Sequence, residues 1–151
     1  MKTISILRRG IALLLVLPAF ASVAQNNYVA TSPNSSTPGN GNTIIGIEAG
    51  NTRNTTVTND ANTFVGFRAG YSNIDGDINV FVGHQAGKDN TTGSGNVFVG
   101  VQAGWENTTG RDNTFMGTIA GQRNTTGDNN TFMGRGAGFS NTSGSRNAFI
   151  G

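Results

Sequence analysis

Side chains able to do chemistry are sparse in this 151-residue chain, and none recurs in a catalytic pattern. His84 is the one histidine and there is no cysteine, so no spacing brings a nucleophile to a base that would activate it. His84 therefore reads as a surface residue, and the chain is expected not to be an enzyme. Asn73, Asp75, Gly76 and Asp77 have the acidic and Gly character of a Ca²⁺ loop, yet they lack the EF-hand spacing and occur only once. They read as an acidic turn, and neither a metal nor a cofactor is expected. Asn90, Asn107, Asn124 and Asn141 each open a glycosylation sequon, although turn-forming Asn and Thr explain these triplets more simply. The remaining candidates are Tyr71, Trp105 and Phe139, large rings of the kind that grip a glycan or a protein, or that pack into a neighbouring subunit.

These three rings share one position of a repeat, and the repeat is what places them. Copies start at Asn42, Asn62, Asn79, Asn96, Asn113, Asn130 and Asn147; the first spacing is 20 residues and the others are 17. A fixed period of this size marks a solenoid. With Asn as position 1, position 3 is Ile44 and then always Phe, position 5 is always Gly, and positions 8 and 9 are Ala-Gly in every copy that reaches them. Positions 12 to 15 tend to Asn-Thr-Thr-Gly. Aromatic and β-branched residues fit a pleated strand, whereas Asn, Thr and Gly supply turns, so each coil reads as strand, bend, second extended piece and turn. The fold class is an all-β parallel β-solenoid, a β-roll of about 17-residue coils.

Tyr71, Trp105 and Phe139 occupy position 10, with Asn51, Lys88 and Gln122 on the coils between. With coils stacked at about 4.8 Å, the rings would stand about 10 Å apart along one edge. The strand itself is apolar on both sides: Phe64-Val65, Phe81-Val82, Phe98-Val99, Phe115-Met116 and Phe132-Met133. Alternation sends positions 3 and 4 to opposite faces, and a strand apolar on both faces is buried on both. One face lines the coil; the other requires a cover, which points to copies of the same chain packing around a three-fold axis.

The amino terminus differs from the repeat. Lys2, Arg8 and Arg9 precede an apolar run from Ile11 to Phe20, and Ser22-Val23-Ala24 offers a cleavage site, so residues 1–24 read as a secretory signal peptide. The run is too short to span a bilayer, and no further membrane span is expected. Residues 25–41 are rich in Ser, Thr, Asn and Pro and read as a flexible leader; residues 42–151 are the solenoid, its last copy cut short as in a fragment of a longer protein. The signal carries three of the ten Lys and Arg, leaving seven basic residues against eight acidic ones, so the exported chain has a formal charge of −1. That balance excludes nucleic acid as an expected partner. Every Leu also lies in the signal, and the Gly-, Asn- and Thr-rich remainder is a poor helix former.

Asn-[Thr/Val]-Phe-[Val/Met]-Gly-x-x-Ala-Gly, repeated over Asn42 to Gly151, resembles the head repeats of trimeric autotransporter adhesins and is similar to bacterial surface repeats of the tail-fibre type. The period here is longer than in the usual head repeat, and neither a coiled-coil stalk nor a β-barrel anchor is part of the chain. The resemblance implies a left-handed, trimeric roll, secreted or displayed on the outer cell surface, that binds host or environmental surfaces. Two other classes compete. An ice- or crystal-binding face would use Thr43, Thr63, Thr114 and Thr131 at position 2, a row that Val80, Val97 and Ala148 interrupt. A polysaccharide-processing β-helix would need acids and bases clustered on adjacent coils, where this chain changes charge from coil to coil.

Overall fold

A computed structural model describes residues 29–30, 41–51 and 60–151. Seven three-residue strands, β2 (Thr43–Ile45), β3 (Thr63–Val65), β4 (Val80–Val82), β5 (Val97–Val99), β6 (Thr114–Met116), β7 (Thr131–Met133) and β8 (Ala148–Ile150), stack in chain order as one parallel sheet. Register is strict, with Phe64 beside Phe81, Phe81 beside Phe98 and so on to Phe149. The chain is an all-β parallel solenoid with one such strand per coil. At its amino-terminal edge β1 (Val29–Ala30) pairs antiparallel with β2, placing a short ladder over an otherwise open strand. The expected signal peptide and the extra residues of the first copy lie outside the described residues, as does all of the expected leader except β1 and Gly41.

The interior is filled by one Phe and one Ala per coil. Phe64, Phe81, Phe98, Phe115 and Phe132 are fully buried, with Ala69, Ala86, Ala103 and Ala120 beside them. Consecutive rings from Phe81 to Phe132 stack 4.8 Å apart and within 7° of parallel, which is the rise of the solenoid itself. Burying a Phe stabilises by about 1.5–3 kcal/mol, and each ring contact adds about 0.5–1.5 kcal/mol.

Two buried amide ladders run parallel to the ring stack. The leading Asn of each coil accepts, through Oδ1, the backbone N–H of the next leading Asn, as from Asn96 to Asn79 at 2.9 Å. Its Nδ2 donates to the position-15 carbonyl of its own coil, as from Asn96 to Gly110 at 2.8 Å. The Asn at position 12 forms the second ladder: Asn107 Nδ2 donates to Asn90 Oδ1 at 2.8 Å, and Asn124 Nδ2 to Asn107 Oδ1 at 2.9 Å. These residues do turn the chain, since Asn107 Nδ2 also reaches the Gly110 carbonyl at 3.1 Å. They are nevertheless core residues: Asn90, Asn107 and Asn124 are fully enclosed.

Between the strands the backbone bonds from coil to coil without regular strand geometry. Gly87 N–H donates to Ala103, Asp89 to Trp105 and Gln85 to Phe67, each about one coil away. The second extended piece expected from the sequence is broken because positions 7, 9 and 17 take left-handed angles. Gly104 at φ +58 is one, and a Cβ there would stand 2.5 Å from the Phe98 ring. Gly83 at φ +142 is a tighter constraint, since a Cβ would meet the Gly100 carbonyl oxygen at 2.4 Å. Positions 7 and 17 are mostly not glycine: Arg68, Gln85, Gln102, Ile119, Ile78 and Asp112 all lie between φ +54 and +57.

The left-handed region costs an L-residue about 1–2 kcal/mol, most for a β-branched side chain. Ile78 bears this cost with its side chain 67% exposed, so little packing offsets it. Ile78→Asn is therefore expected to raise the unfolding free energy by about 1 kcal/mol, read as an upward shift in thermal midpoint. Phe98→Ala removes one rung of the stack and is expected to lower stability by about 3–5 kcal/mol, measured in the same way.

Candidate functional site

The position-10 row is built by the bend before it. Ala at position 8 turns inward, Gly at position 9 lies against the Phe ring, and the chain then carries position 10 out to the edge. Coil-to-coil bonds hold this row in register from Tyr71 to Gln122: Ser72 N–H donates to the Lys88 carbonyl, Asp89 to Trp105 and Glu106 to Gln122, all at 2.9 Å. The order along the edge is Tyr71, Lys88, Trp105, Gln122, Phe139, with a ring on alternate coils.

Each ring is held by a cation of the same chain. The Arg68 guanidinium lies 5.5 Å from the Tyr71 ring centroid and 4.9 Å from that of Phe67. Lys88 Nζ stands 5.5 Å from the Trp105 ring, and the Arg123 guanidinium 4.8 Å from Phe139. Such contacts at partly exposed sites are worth about 0.5–1 kcal/mol. Two of the three cations are themselves partnered: Arg68 pairs with Glu48, and Lys88 Nζ lies 2.7 Å from Asp89 Oδ1. Beside the row Gln102 donates to Gln85 at 3.1 Å and Gln122 donates to Gln102 at 3.0 Å, a short surface amide ladder. Tyr71, Trp105 and Phe139 are half-buried. The Trp105 Nε1–H is shielded from solvent without an acceptor, alone among the buried side-chain polar atoms described. An unmet donor of this kind costs about 1–3 kcal/mol.

A second surface lies on the strand. Position 3 is the enclosed one, so position 4 faces outward: Val65, Val82 and Val99 are half-buried, while Met116 and Met133 are each 40% exposed. Position 6 widens this stripe with Ile47, Phe67 and Val101, all exposed. Of the ten residues expected to form an apolar stripe, Phe64, Phe81, Phe98, Phe115 and Phe132 thus form the interior; Val65, Val82, Val99, Met116 and Met133 form the outer face.

The other candidates are also placed. His84 is exposed on the outer stripe, stacked on Phe67 at 5.4 Å between centroids. In the acidic turn the Asp77 carboxylate accepts the Asp60 backbone N–H at 2.8 Å, and Asn73 joins the buried amide ladder. Among the described residues no three His, Cys, Asp or Glu gather as they would around a metal ion, and no helix is long and apolar enough to cross a membrane. The sequon residues Asn90, Asn107 and Asn124 commit their amide nitrogens to the interior. The buried role of position 12 was detectable in its constancy from coil to coil, since a turn alone tolerates Asp, Ser or Gly.

Comparison with protein families, curated proteins and solved structures finds no match to the chain. The geometry of the two surfaces therefore carries the functional reading.

Asn107→Ala removes an acceptor from Asn124 and a donor from Asn90, leaving buried amide groups unmet. It is expected to lower stability by about 2–4 kcal/mol, whereas Trp105→Ala at the half-buried edge is expected to cost under about 1.5 kcal/mol. Chemical denaturation of the two variants side by side checks the contrast.

Proposed function

We propose that this chain is a structural element of a secreted or surface-displayed fibre, the repeat head or shaft of an adhesin-like protein that self-associates as a homotrimer. The observation that carries the reading is the outward stripe of Val65, Val82, Val99, Met116 and Met133, running unbroken on the face opposite the Phe stack. Apolar rows this continuous on a slender rod favour a cover, and a second and third copy of the same stripe supply one of matching length and period. The amino-terminal signal supports export, and the absence of Cys fits a fold held by ladders instead of disulfides.

The mechanism is display. Stacked coils hold a repeated edge at fixed spacing away from the cell, and repetition converts weak contacts with a host or environmental surface into avidity. The ice-binding alternative is not favoured by the register, which sets Thr63 beside Val80 and Val97 beside Thr114. A lattice-matching face is poorly served by such mixed neighbours. No observation favours a polysaccharide-processing site, and the reading assigns no catalytic residue.

Light scattering on residues 25–151 is expected to give three times the chain mass. Met116→Glu, which places a charge in the outer stripe without touching the interior, is expected to reduce that to a single chain while the far-UV spectrum stays unchanged. A wild-type chain that is monomeric and stably folded would sink the proposal.

A further inference from the structure

We propose that the position-10 edge is a binding track for one extended, neutral β-1,4-linked glycan chain lying parallel to the solenoid axis. The inference rests on the display reading and names the ligand class of its contact edge.

Spacing supplies the first argument. The backbone bonds that hold the row coil to coil from Tyr71 to Gln122 give that stretch the rise of the core, where rings repeat every 4.8 Å. Tyr71 and Trp105 therefore stand about 10 Å apart, twice the coil spacing, and Phe139 takes the same position of the repeat two coils further on. In a β-1,4-linked chain each sugar is turned over relative to the last, so the same face recurs every second sugar. Rings on alternate coils meet that pattern, and a chain with a curling α-linkage does not keep it.

The residues between the rings supply the second. Lys88 and Gln122 stand on the intervening coils, so the row alternates stacking surfaces with hydrogen-bonding groups. An extended glycan offers the same alternation, presenting apolar ring faces and hydroxyls in turn. The amide ladder from Gln85 through Gln102 fixes the Gln122 side chain beside the row.

Charge and order supply the third. Arg68 is matched by Glu48 and Lys88 by Asp89, and the exposed Arg123 at Phe139 is offset by the exposed Glu106, so the track carries no surplus of cations to select an acidic polymer. Each ring is already oriented by a cation on one side, which lessens the ordering that binding requires. The Nε1–H of Trp105 has no acceptor among the described residues, so a glycan hydroxyl brought to the edge would meet a donor that is otherwise unpaired.

Isothermal titration with cellohexaose, using maltohexaose as the α-linked control, tests the assignment. Cellohexaose is expected to bind and maltohexaose not to. Trp105→Ala is expected to weaken binding by about tenfold or more. The double variant Tyr71→Ala with Phe139→Ala is expected to do likewise, and it tests the track even if Trp105→Ala fails to fold. Val101→Ala, on the outer stripe, is expected to bind as the wild type does. Absent binding of cellohexaose, equal binding of maltohexaose, or unchanged affinity in both edge variants would overturn the proposal. Light scattering on the same samples separates the two readings: a trimer that ignores cellohexaose removes the track alone, and a monomer that binds it removes the trimer alone.

Discussion

The structure depends on one constraint: a buried amide must find its partners, and here the partners lie one coil away. The Asn96 side chain is satisfied by the Asn113 N–H on the next coil and by the Gly110 carbonyl of its own. A coil one residue longer or shorter within its ladder positions would carry position 1 or position 12 out of line and leave several polar groups unmet in the interior. The hydrophobic core alone is less exacting, because a Phe stack tolerates small slips. Strict periodicity therefore follows from hydrogen bonding, and the ring stack contributes apolar burial on top of it. The first spacing is 20 residues, and the β2–β3 register is kept across it.

That division of labour explains why the surface is free to vary. Positions 1, 3, 5, 8, 9, 12 and 15 are fixed by neighbours along the axis, and they recur almost without change. Positions 6, 7, 10, 11, 16 and 17 touch no interior ladder and differ from coil to coil, as Phe67, His84 and Val101 do at position 6. Each coil then contributes an intrinsic term and an interface term to stability, in the manner of a one-dimensional array. Loss of one interior rung is felt by two neighbours; loss of a surface side chain is felt by none of the ladders.

Much of this was legible in the residues. The period, the strand that opens each coil and the enclosure of one strand face follow from Phe, Gly and Ala recurring at fixed positions; the second extended piece expected of each coil is replaced by bends. Which face was enclosed did not follow, because Phe64-Val65 and its counterparts are apolar on both sides; the volume inside the coil decides it by admitting the Phe rings. Position 12 was misleading for a different reason. Asn-Thr-Thr-Gly is ordinary turn chemistry; the signal that separates a ladder from a turn is that Asn alone recurs at Asn73, Asn90, Asn107 and Asn124, which stack at buried depth. The left-handed residues were hidden altogether, since Ile78, Ile119 and Arg68 carry no local preference for positive φ. The edge was half legible: its rings share a position, but their cations come from positions 7, 10 and 11, a pairing that spacing alone does not give.

The two surfaces have opposite requirements, and different positions of the coil supply them. An apolar stripe is stable when water is excluded from it, whereas a contact edge works only while it stays open. Between position 4 and position 10 the chain bends three times: at the glycine of position 5, at the left-handed residue of position 7 and at the glycine of position 9. The stripe and the edge therefore leave the coil at different points along it, and they meet where the Arg68 guanidinium lies against both Phe67 and Tyr71. Because both follow the same axis, lengthening the array by one coil extends each by one rung without moving the other. In the proposed fibre, association along the stripes would leave the edges repeated around the outside, and the contact strength of such an edge would grow with the number of coils it carries. The slenderness that leaves position 4 of each coil outside the interior is thus the same property that, in the proposed trimer, would place identical edges side by side.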